Sequence, residues 1–163
     1  MTQPKKIVML GHFGVGKTSL VRRYVDAAFN EDYLVTLGVQ VKKKDVTVNN
    51  QQVSLIIWDI EGNRSVSQAR ASYLLGSDAF VYVIDLNRPE TFEFLEENLA
   101  YLTTNYPNIP IQVFGNKVDL IDPDNLDEYL EKNQLTEALV TSAKNGQNVS
   151  LGFENLALKT LGE

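Results

Sequence analysis

The sequence predicts an α/β fold: a mostly parallel six-stranded sheet with one antiparallel hairpin strand and helices on both faces. Apolar runs of strand length alternate with stretches of helical pattern along the whole chain, as in layered folds with a parallel sheet. The run 79–84 is apolar at nearly every position, as a strand buried on both faces requires. Asn49 and Asn50 separate two runs of alternating pattern, and asparagine tolerates the positive φ of a hairpin turn.

The elements are expected in a regular order. We predict strands at about 5–11, 39–48, 53–57, 79–84, 111–114 and 137–141, and helices at 17–27, 66–75, 89–105, 123–132 and 149–161. Pro89 suits the first turn of its helix, and Lys42, Lys43 and Lys44 suit a solvated sheet edge. With 163 residues and no linker or internal repeat, residues 1–163 are expected to form a single domain.

The amino-acid composition limits the classes of partner that the protein is expected to bind. The 44% hydrophobic and 22% charged residues are ordinary for a globular protein, and the net charge of −6 argues against nucleic acid or an anionic membrane as main partner. The absence of cysteine excludes disulfides, thiolate metal sites, prenylation and palmitoylation, and Thr2 excludes myristoylation. The apolar run 7–10 is too short for a signal peptide or a span. We expect a cytoplasmic protein with no lipid anchor in this chain, and a tail outside the sequence is left open.

The run 11–18, Gly-His-Phe-Gly-Val-Gly-Lys-Thr, has the G-x-x-x-x-G-K-[ST] form between a buried strand and a helix. Its glycines let backbone N–H groups curl around phosphates, and the helix N-terminus adds its positive dipole end. Lys17 can reach the β- and γ-phosphates, and Thr18 can ligate Mg²⁺. These residues predict a nucleoside triphosphate site, in which His12 occupies a variable position and is interpreted as incidental.

Three later segments follow strands: 59–62 with the D-x-x-G form, 116–119 with N-K-x-D, and 142–144 with S-A-K. Asp59 can hold Mg²⁺ through its water shell, and Gly62 can bring a backbone N–H close to the γ-phosphate. In this order and at these spacings, the four motifs resemble those of the Ras superfamily of small GTPases over essentially the whole chain. Trp58 and the run 36–39 most resemble the Rab-like branch, and a prokaryotic relative is left open.

The resemblance implies a P-loop small GTPase fold, GTP and GDP as ligands, and Mg²⁺ as cofactor. The implied nucleotide-binding residues are Gly14, Val15, Gly16, Lys17, Thr18, Ser19, Phe29, Thr36, Gly62, Asn116, Lys117, Asp119, Ser142, Ala143 and Lys144. The implied metal residues are Thr18, Thr36 and Asp59, and the implied catalytic residues are Lys17, Thr36, Gly62 and Asn63. Asp119 would accept hydrogen bonds from N1–H and the 2-amino group of guanine. Adenine lacks both donors, and such mismatches can discriminate by roughly 10⁴–10⁵.

The chain departs from the family pattern near the reacting phosphate. Asn63 stands where a glutamine usually orients the attacking water, and its amide reaches about 1.5 Å less far. A misplacement of about 1 Å can cost roughly 10²-fold in rate. Phe13 is bulky where relatives carry a small residue, and Glu61 adds charge beside the triphosphate. We therefore expect slow intrinsic hydrolysis, with Arg64 considered as a charge-stabilising arginine.

Two functions remain open. The first is a GTP-hydrolysing switch that meets effectors, an exchange factor and an activating protein through residues 31–40 and 60–73, with Tyr33 and Trp58 as candidate contacts. The second is a GTP-binding interaction module with little or no hydrolysis. A P-loop ATPase or kinase is disfavoured, because Asp119 does not suit adenine.

Overall fold

The computed structural model describes residues 3–29 and 36–162. One six-stranded sheet has the order β2-β3-β1-β4-β5-β6, in which only β2 and β3 run antiparallel. The strands are β1 (Gln3–Gly11), β2 (Val39–Val48), β3 (Gln51–Ile60), β4 (Ala79–Asp85), β5 (Ile111–Asn116) and β6 (Leu139–Val140). The predicted fold class, including its one antiparallel hairpin, is confirmed.

The α-helices are α1 (Lys17–Asp26), α2 (Ala71–Leu74), α3 (Leu95–Asn105), α4 (Leu126–Lys132) and α5 (Val149–Thr160). Continuous helices were predicted at 66–75, 89–105 and 123–132, and the first residues of all three predictions are wrong. Each begins with a separate 3₁₀ turn, at Val66–Gln68, Pro89–Thr91 and Pro123–Asn125. In the second case, buried Thr91 donates its hydroxyl to the Arg88 carbonyl at 2.8 Å, which closes a tight local turn rather than a helical one.

The last strand is also shorter than predicted. The N–H of Ala138 donates to the Leu135 carbonyl at 3.0 Å. This bond closes a turn just before Leu139–Val140, the two residues that pair with β5 as a strand. The sequence pattern over 137–141 therefore overestimated the strand by one residue at the C-terminal end and two at the N-terminal end.

Two apolar layers flank the sheet. Against α1 and α5, Phe153 stacks on Tyr24 with ring centroids 4.4 Å apart and meets Phe114 edge-on at 5.6 Å. On the opposite face, Phe80 meets Tyr106 edge-on at 5.4 Å beside the buried Leu102. Successive residues of β4 serve the two layers alternately, as the two-residue period of a strand dictates. Burial on both faces fixes the register that brings the carboxyl ends of the strands together.

Strand β2 lies at the edge of the sheet. Its lysines do not all point into solvent as predicted. Lys42 pairs with Asp26 of α1, and the Lys44 ammonium lies 4.2 Å from the centroid of the Tyr24 ring. Lys43 alone of the three keeps a mostly exposed side chain, near Asp45. Within residues 3–29 and 36–162, no helix has the length and apolar content that crossing a membrane requires.

Candidate nucleotide-binding site

A cavity of about 310 Å³ opens at the carboxyl ends of the parallel strands. It is lined by Phe13, Gly14, Gly16, Lys17, Thr18, Ser19, Phe29, Thr36, Ile60, Gly62, Asn116, Lys117, Asp119, Leu120, Ala143 and Lys144. The lining includes residues of all four sequence motifs. The neighbours Asn116 and Asp85 on adjacent strands show how the parallel register gathers these loops at one edge.

The phosphate loop, residues 11–18, has a conformation that depends on glycine. Gly11, Gly14 and Gly16 have φ values of 143°, 72° and 101°, which other residues rarely adopt. A Cβ on Gly16 would also lie 2.3 Å from the Asn116 amide nitrogen. Helix α1 starts directly after Gly16, so its free N–H groups face the cavity.

Side chains from other loops hold the outer carbonyls of the phosphate loop. Asn116 Nδ2 donates to the Val15 carbonyl at 2.9 Å, and Lys117 Nζ donates to the Gly14 carbonyl at 2.9 Å. In a trans peptide the carbonyl and the following N–H point in opposite directions. Fixing the carbonyls outward therefore directs the N–H groups of Val15 and Gly16 inward, where an anion would lie.

Lys17 is buried beneath the same loop. Its ammonium donates to the carbonyls of Gly11 at 3.2 Å and His12 at 3.0 Å. Burial lowers the pKa of Lys17 to about 8, and the negative charge of Asp59 opposes this shift. A buried ammonium of this kind is stabilised by further negative charge, which the phosphates of a nucleotide would supply.

Three oxygen donors converge beside the loop. Thr18 Oγ1 lies 2.6 Å from Thr36 Oγ1 and donates to Asp59 Oδ2 at 2.6 Å. The other carboxylate oxygen of Asp59 is buried without a hydrogen-bond partner. Burial raises the pKa of Asp59, while the hydroxyls of Thr18 and Thr36 and the charge of Lys17 lower it. An unsatisfied buried carboxylate oxygen among hydroxyl groups fits Mg²⁺, which prefers oxygen ligands.

The opposite end of the cavity carries the loops expected to read the base. Asp119 Oδ1 accepts a hydrogen bond from Ser142 Oγ at 2.8 Å, which orients the exposed carboxylate. Asn116 Oδ1 accepts from Thr141 Oγ1 at 3.1 Å and from the Ala143 N–H at 3.3 Å. Asn116 thus bonds to the phosphate loop through its nitrogen and to the 141–143 segment through its oxygen.

Two residues that support the site were not singled out in the sequence. Arg23 of α1 donates from Nε to the Ala143 carbonyl at 2.7 Å and from Nη2 to the Lys144 carbonyl. Asp85, almost fully buried, pairs with Lys117 at 2.8 Å. Asp85 ends a buried strand, as Asp59 does, and this pattern could have revealed it. Arg23 gives no such signal, because its partners are backbone atoms more than a hundred residues away.

The expected catalytic residues lie at the phosphate end. The Asn63 N–H donates to the Gly11 carbonyl at 3.0 Å, and its side-chain amide donates to the Glu61 carbonyl at 3.1 Å. Gly62 lies against the phosphate loop, where a Cβ would come within 2.5 Å of the Phe13 nitrogen. Phe13 lines the cavity with its side chain 49% exposed. The Asn63 side chain is therefore bonded within its own loop and is not part of the cavity lining.

Two other residues at this end were discussed in the sequence. Burial and the nearby charge of Arg88 lower the pKa of His12, and the backbone of Arg64 partly opposes this shift. Arg64 itself is exposed. Of the predicted partner segment 31–40, residues 31–35 with Tyr33 lie outside the described residues. Trp58 packs near Tyr73 with ring centroids 6.3 Å apart.

Fold and site together define a P-loop nucleotide-binding protein of the small GTPase class. The Ras family model matches residues 6–161, and the chain belongs to this family. The Ypt/Rab-type GTPase YPT7 of Saccharomyces cerevisiae is 32% identical over 168 residues, 96% of this chain and 81% of that protein. The Ras-related protein Rab-7b of Bos taurus is 36% identical over 163 residues, with coverages of 96% and 82%. Rab7 of Drosophila melanogaster is 32% identical over 165 residues, with coverages of 96% and 80%.

Membership of this family confirms the Rab-like small GTPase predicted from the motifs. The protein is a GTP-binding enzyme that hydrolyses GTP, and it acts with regulatory or effector proteins as members of the family do.

Replacing Arg23 tests whether its hydrogen bonds to residues 143–144 hold this segment in place for nucleotide binding. Arg23→Ala removes two charge-assisted hydrogen bonds at a partly exposed position, so we expect GDP affinity to fall about five- to tenfold. Titration calorimetry measures the change. Lys159→Ala removes the same charge from α5, where Lys159 Nζ makes an exposed hydrogen bond to the Gln112 side chain at 3.4 Å, and should bind GDP as the wild type does. Equal affinities for wild type and Arg23→Ala would contradict this role.

Proposed function

We propose that this protein is a Mg²⁺-dependent molecular switch that binds GTP and GDP and hydrolyses GTP slowly without a partner. The observation that supports it most is the convergence of phosphate loop, oxygen donors and base-reading loops on one cavity. Asn116 bonds to both halves of that cavity. The geometry matches a ligand with an anionic tail at one end and a purine at the other.

The phosphate end would bind the tail through backbone N–H groups and Lys17. Thr18, Thr36 and Asp59 would hold Mg²⁺, which neutralises charge on the phosphates when bound. The base end would read guanine through the Asp119 carboxylate, which Ser142 holds in place at 2.8 Å. Thr36 and Gly62 both line the cavity and would contact the γ-phosphate from separate loops, so loss of that phosphate would release both loops.

Slow hydrolysis is supported by the position of Asn63. Its amide is engaged by the Glu61 carbonyl and its N–H by the Gly11 carbonyl. To orient an attacking water, the Asn63 amide would have to break its bond to the Glu61 carbonyl. The side chain is also one methylene shorter than that of glutamine. The half-exposed ring of Phe13 occupies the same end of the cavity, where it would obstruct an arginine supplied by an activating protein.

The partners would contact residues 31–40 and 60–73. Within the described residues of this surface, Leu37 is 80% exposed. On the adjoining hairpin, the exposed Val41 of β2 pairs with the half-buried Trp58 of β3. Exposed apolar side chains in segments that change with the nucleotide suit effectors, an exchange factor and an activating protein.

A second candidate is a GTP-binding interaction module with little hydrolysis. The same two observations favour it, namely the engaged amide of Asn63 and the ring of Phe13. It differs from the switch only in the lifetime of bound GTP. Protein purified with mostly GTP supports the module, and protein purified with mostly GDP supports the switch.

Single-turnover hydrolysis tests the slow rate. We expect the wild type to hydrolyse GTP more slowly than the yeast YPT7 relative measured beside it without partners. Asn63→Gln restores the missing reach and should raise the rate about tenfold or more, and Phe13→Gly should raise it further. Asn105→Gln, the same change at the end of α3, should leave the rate unaltered. A wild-type rate above that of the relative would rule out the slow switch and the module alike.

Changing Asp119 tests how the base is read. Asp119→Asn keeps one acceptor for N1–H but turns an N–H donor toward the 2-amino group of guanine, so GDP affinity should fall by about 10² or more. Xanthosine diphosphate, which carries an acceptor in place of the 2-amino group, should gain affinity for the variant. Competition binding with GDP, XDP and ADP measures all three. Asp127→Asn on exposed α4 serves as control and should keep guanine preference. Retained GDP preference in Asp119→Asn would exclude this reading of the base.

A further inference from the structure

Arg88 lies in the short connection after β4, away from the four sequence motifs. We propose that Arg88 is a positioning residue of the phosphate loop, which holds the Phe13 carbonyl outward so that the Gly14 N–H points at the diphosphate of the nucleotide. This inference rests on the proposed binding of guanine nucleotides in the cavity.

The carbonyl contact is direct. Arg88 Nη1 donates to the Phe13 carbonyl at 2.9 Å. The next two carbonyls of the loop are held in the same way, Gly14 by Lys117 and Val15 by Asn116. Three consecutive peptide groups are therefore held by three side chains that follow β4 and β5. Because each peptide is trans, the three N–H groups that follow point toward the cavity.

The backbone around Arg88 is fixed before any ligand binds. Thr91 Oγ1 accepts the Asp85 N–H at 2.9 Å and lies 2.8 Å from the Arg88 carbonyl. The Thr91 residue is only 1% exposed, so these bonds are shielded from water. Pro89 keeps Arg88 in an extended conformation, with φ −134° and ψ 92°.

The guanidinium is oriented as well. Glu90 Oε1 accepts a hydrogen bond from Arg88 Nε at 3.1 Å. A hydrogen bond from the Glu90 backbone, and then the bond from Arg88, lower the pKa of Glu90. The guanidinium group is planar, so the bond from Nε to Glu90 fixes the direction in which Nη1 donates to the Phe13 carbonyl. The same connection begins with Asp85, which pairs with Lys117. One short segment thus positions Arg88 and Lys117, two cations from outside the phosphate loop that bond to its carbonyls.

The peptide between Phe13 and Gly14 needs such an anchor. Gly14 has a φ of 72°, a region in which glycine is least restrained. Phe13 is about half exposed. Gly62 lies against its nitrogen and Cα, whereas its carbonyl bonds to Arg88. A donor on the Phe13 carbonyl from outside the loop selects one orientation of this peptide. That orientation strengthens binding only of ligands whose phosphate chain extends to the Gly14 N–H.

The test compares Arg88→Ala, Arg88→Lys and Glu90→Gln by release of a fluorescent GDP analogue and by ³¹P NMR of bound GDP. We expect Arg88→Ala to release GDP about five- to tenfold faster and to shift the β-phosphate resonance more than the α-phosphate resonance. Arg88→Lys keeps one donor and should recover much of both effects. Glu90→Gln should change both in the same direction by less. Lys132→Ala, which removes a charge at the end of α4, should match the wild type.

Affinity for GMP separates positioning from a general effect on the fold. GMP lacks the β-phosphate, so its affinity should be unchanged in Arg88→Ala at a temperature where the variant is folded. Wild-type GDP release and an unshifted β-phosphate resonance in Arg88→Ala would overturn the proposal, as would equal losses for GMP and GDP. If Arg88→Ala does not fold, the same readouts on Glu90→Gln decide. A wild type that fails to bind GDP would instead overturn the proposed function.

Discussion

The site depends on one buried amide. Asn116 is 1% exposed and bonds through nitrogen to the Val15 carbonyl and through oxygen to Thr141 and the Ala143 N–H. A buried amide with partners on both atoms is costly to disturb, because any partner lost remains unsatisfied. Gly16 passes so close to it that no side chain fits there. Under the proposed function, this contact would join the binding of the phosphates and the recognition of the base in one structure.

The same principle extends along the phosphate loop. An anion site made of backbone N–H groups needs its peptide planes held from outside, since the ligand contacts only one edge of each plane. The parallel sheet provides the outer contacts, because β4 lies beside β1 and β5 beside β4, which places Asp85 next to Asn116. Lys117 is thereby held by a buried carboxylate. Electrostatic preorganisation of this kind binds phosphate without reorganising the protein at the moment of binding.

The sequence predicted the sheet and the four motifs, because both depend on local patterns: apolar periodicity and fixed spacings of glycine and polar residues. It did not predict Arg23, whose partners are backbone carbonyls that any residue type would offer. The 3₁₀ turns were also missed, since side-chain bonds to the local backbone mark them rather than apolar periodicity: the Thr91 hydroxyl bonds to Arg88, and the Asp122 carboxylate accepts the Asp124 N–H. The sequence indicated only that the Asn63 side chain is shorter than glutamine. The structure adds that its amide donates to the Glu61 carbonyl.

Calorimetry of GDP binding with Mg²⁺ to Asn116→Ala tests the central claim most directly. Asn98→Ala is the matched control, because Asn98 is also a buried amide with backbone and side-chain partners, but its partners are Val66, Phe94 and Tyr82. We predict that Asn116→Ala loses at least about 10²-fold in GDP affinity, from simultaneous release of both ends of the cavity, while Asn98→Ala stays within about threefold. Near-wild-type GDP affinity in folded Asn116→Ala would show that the two ends bind independently and would contradict the account.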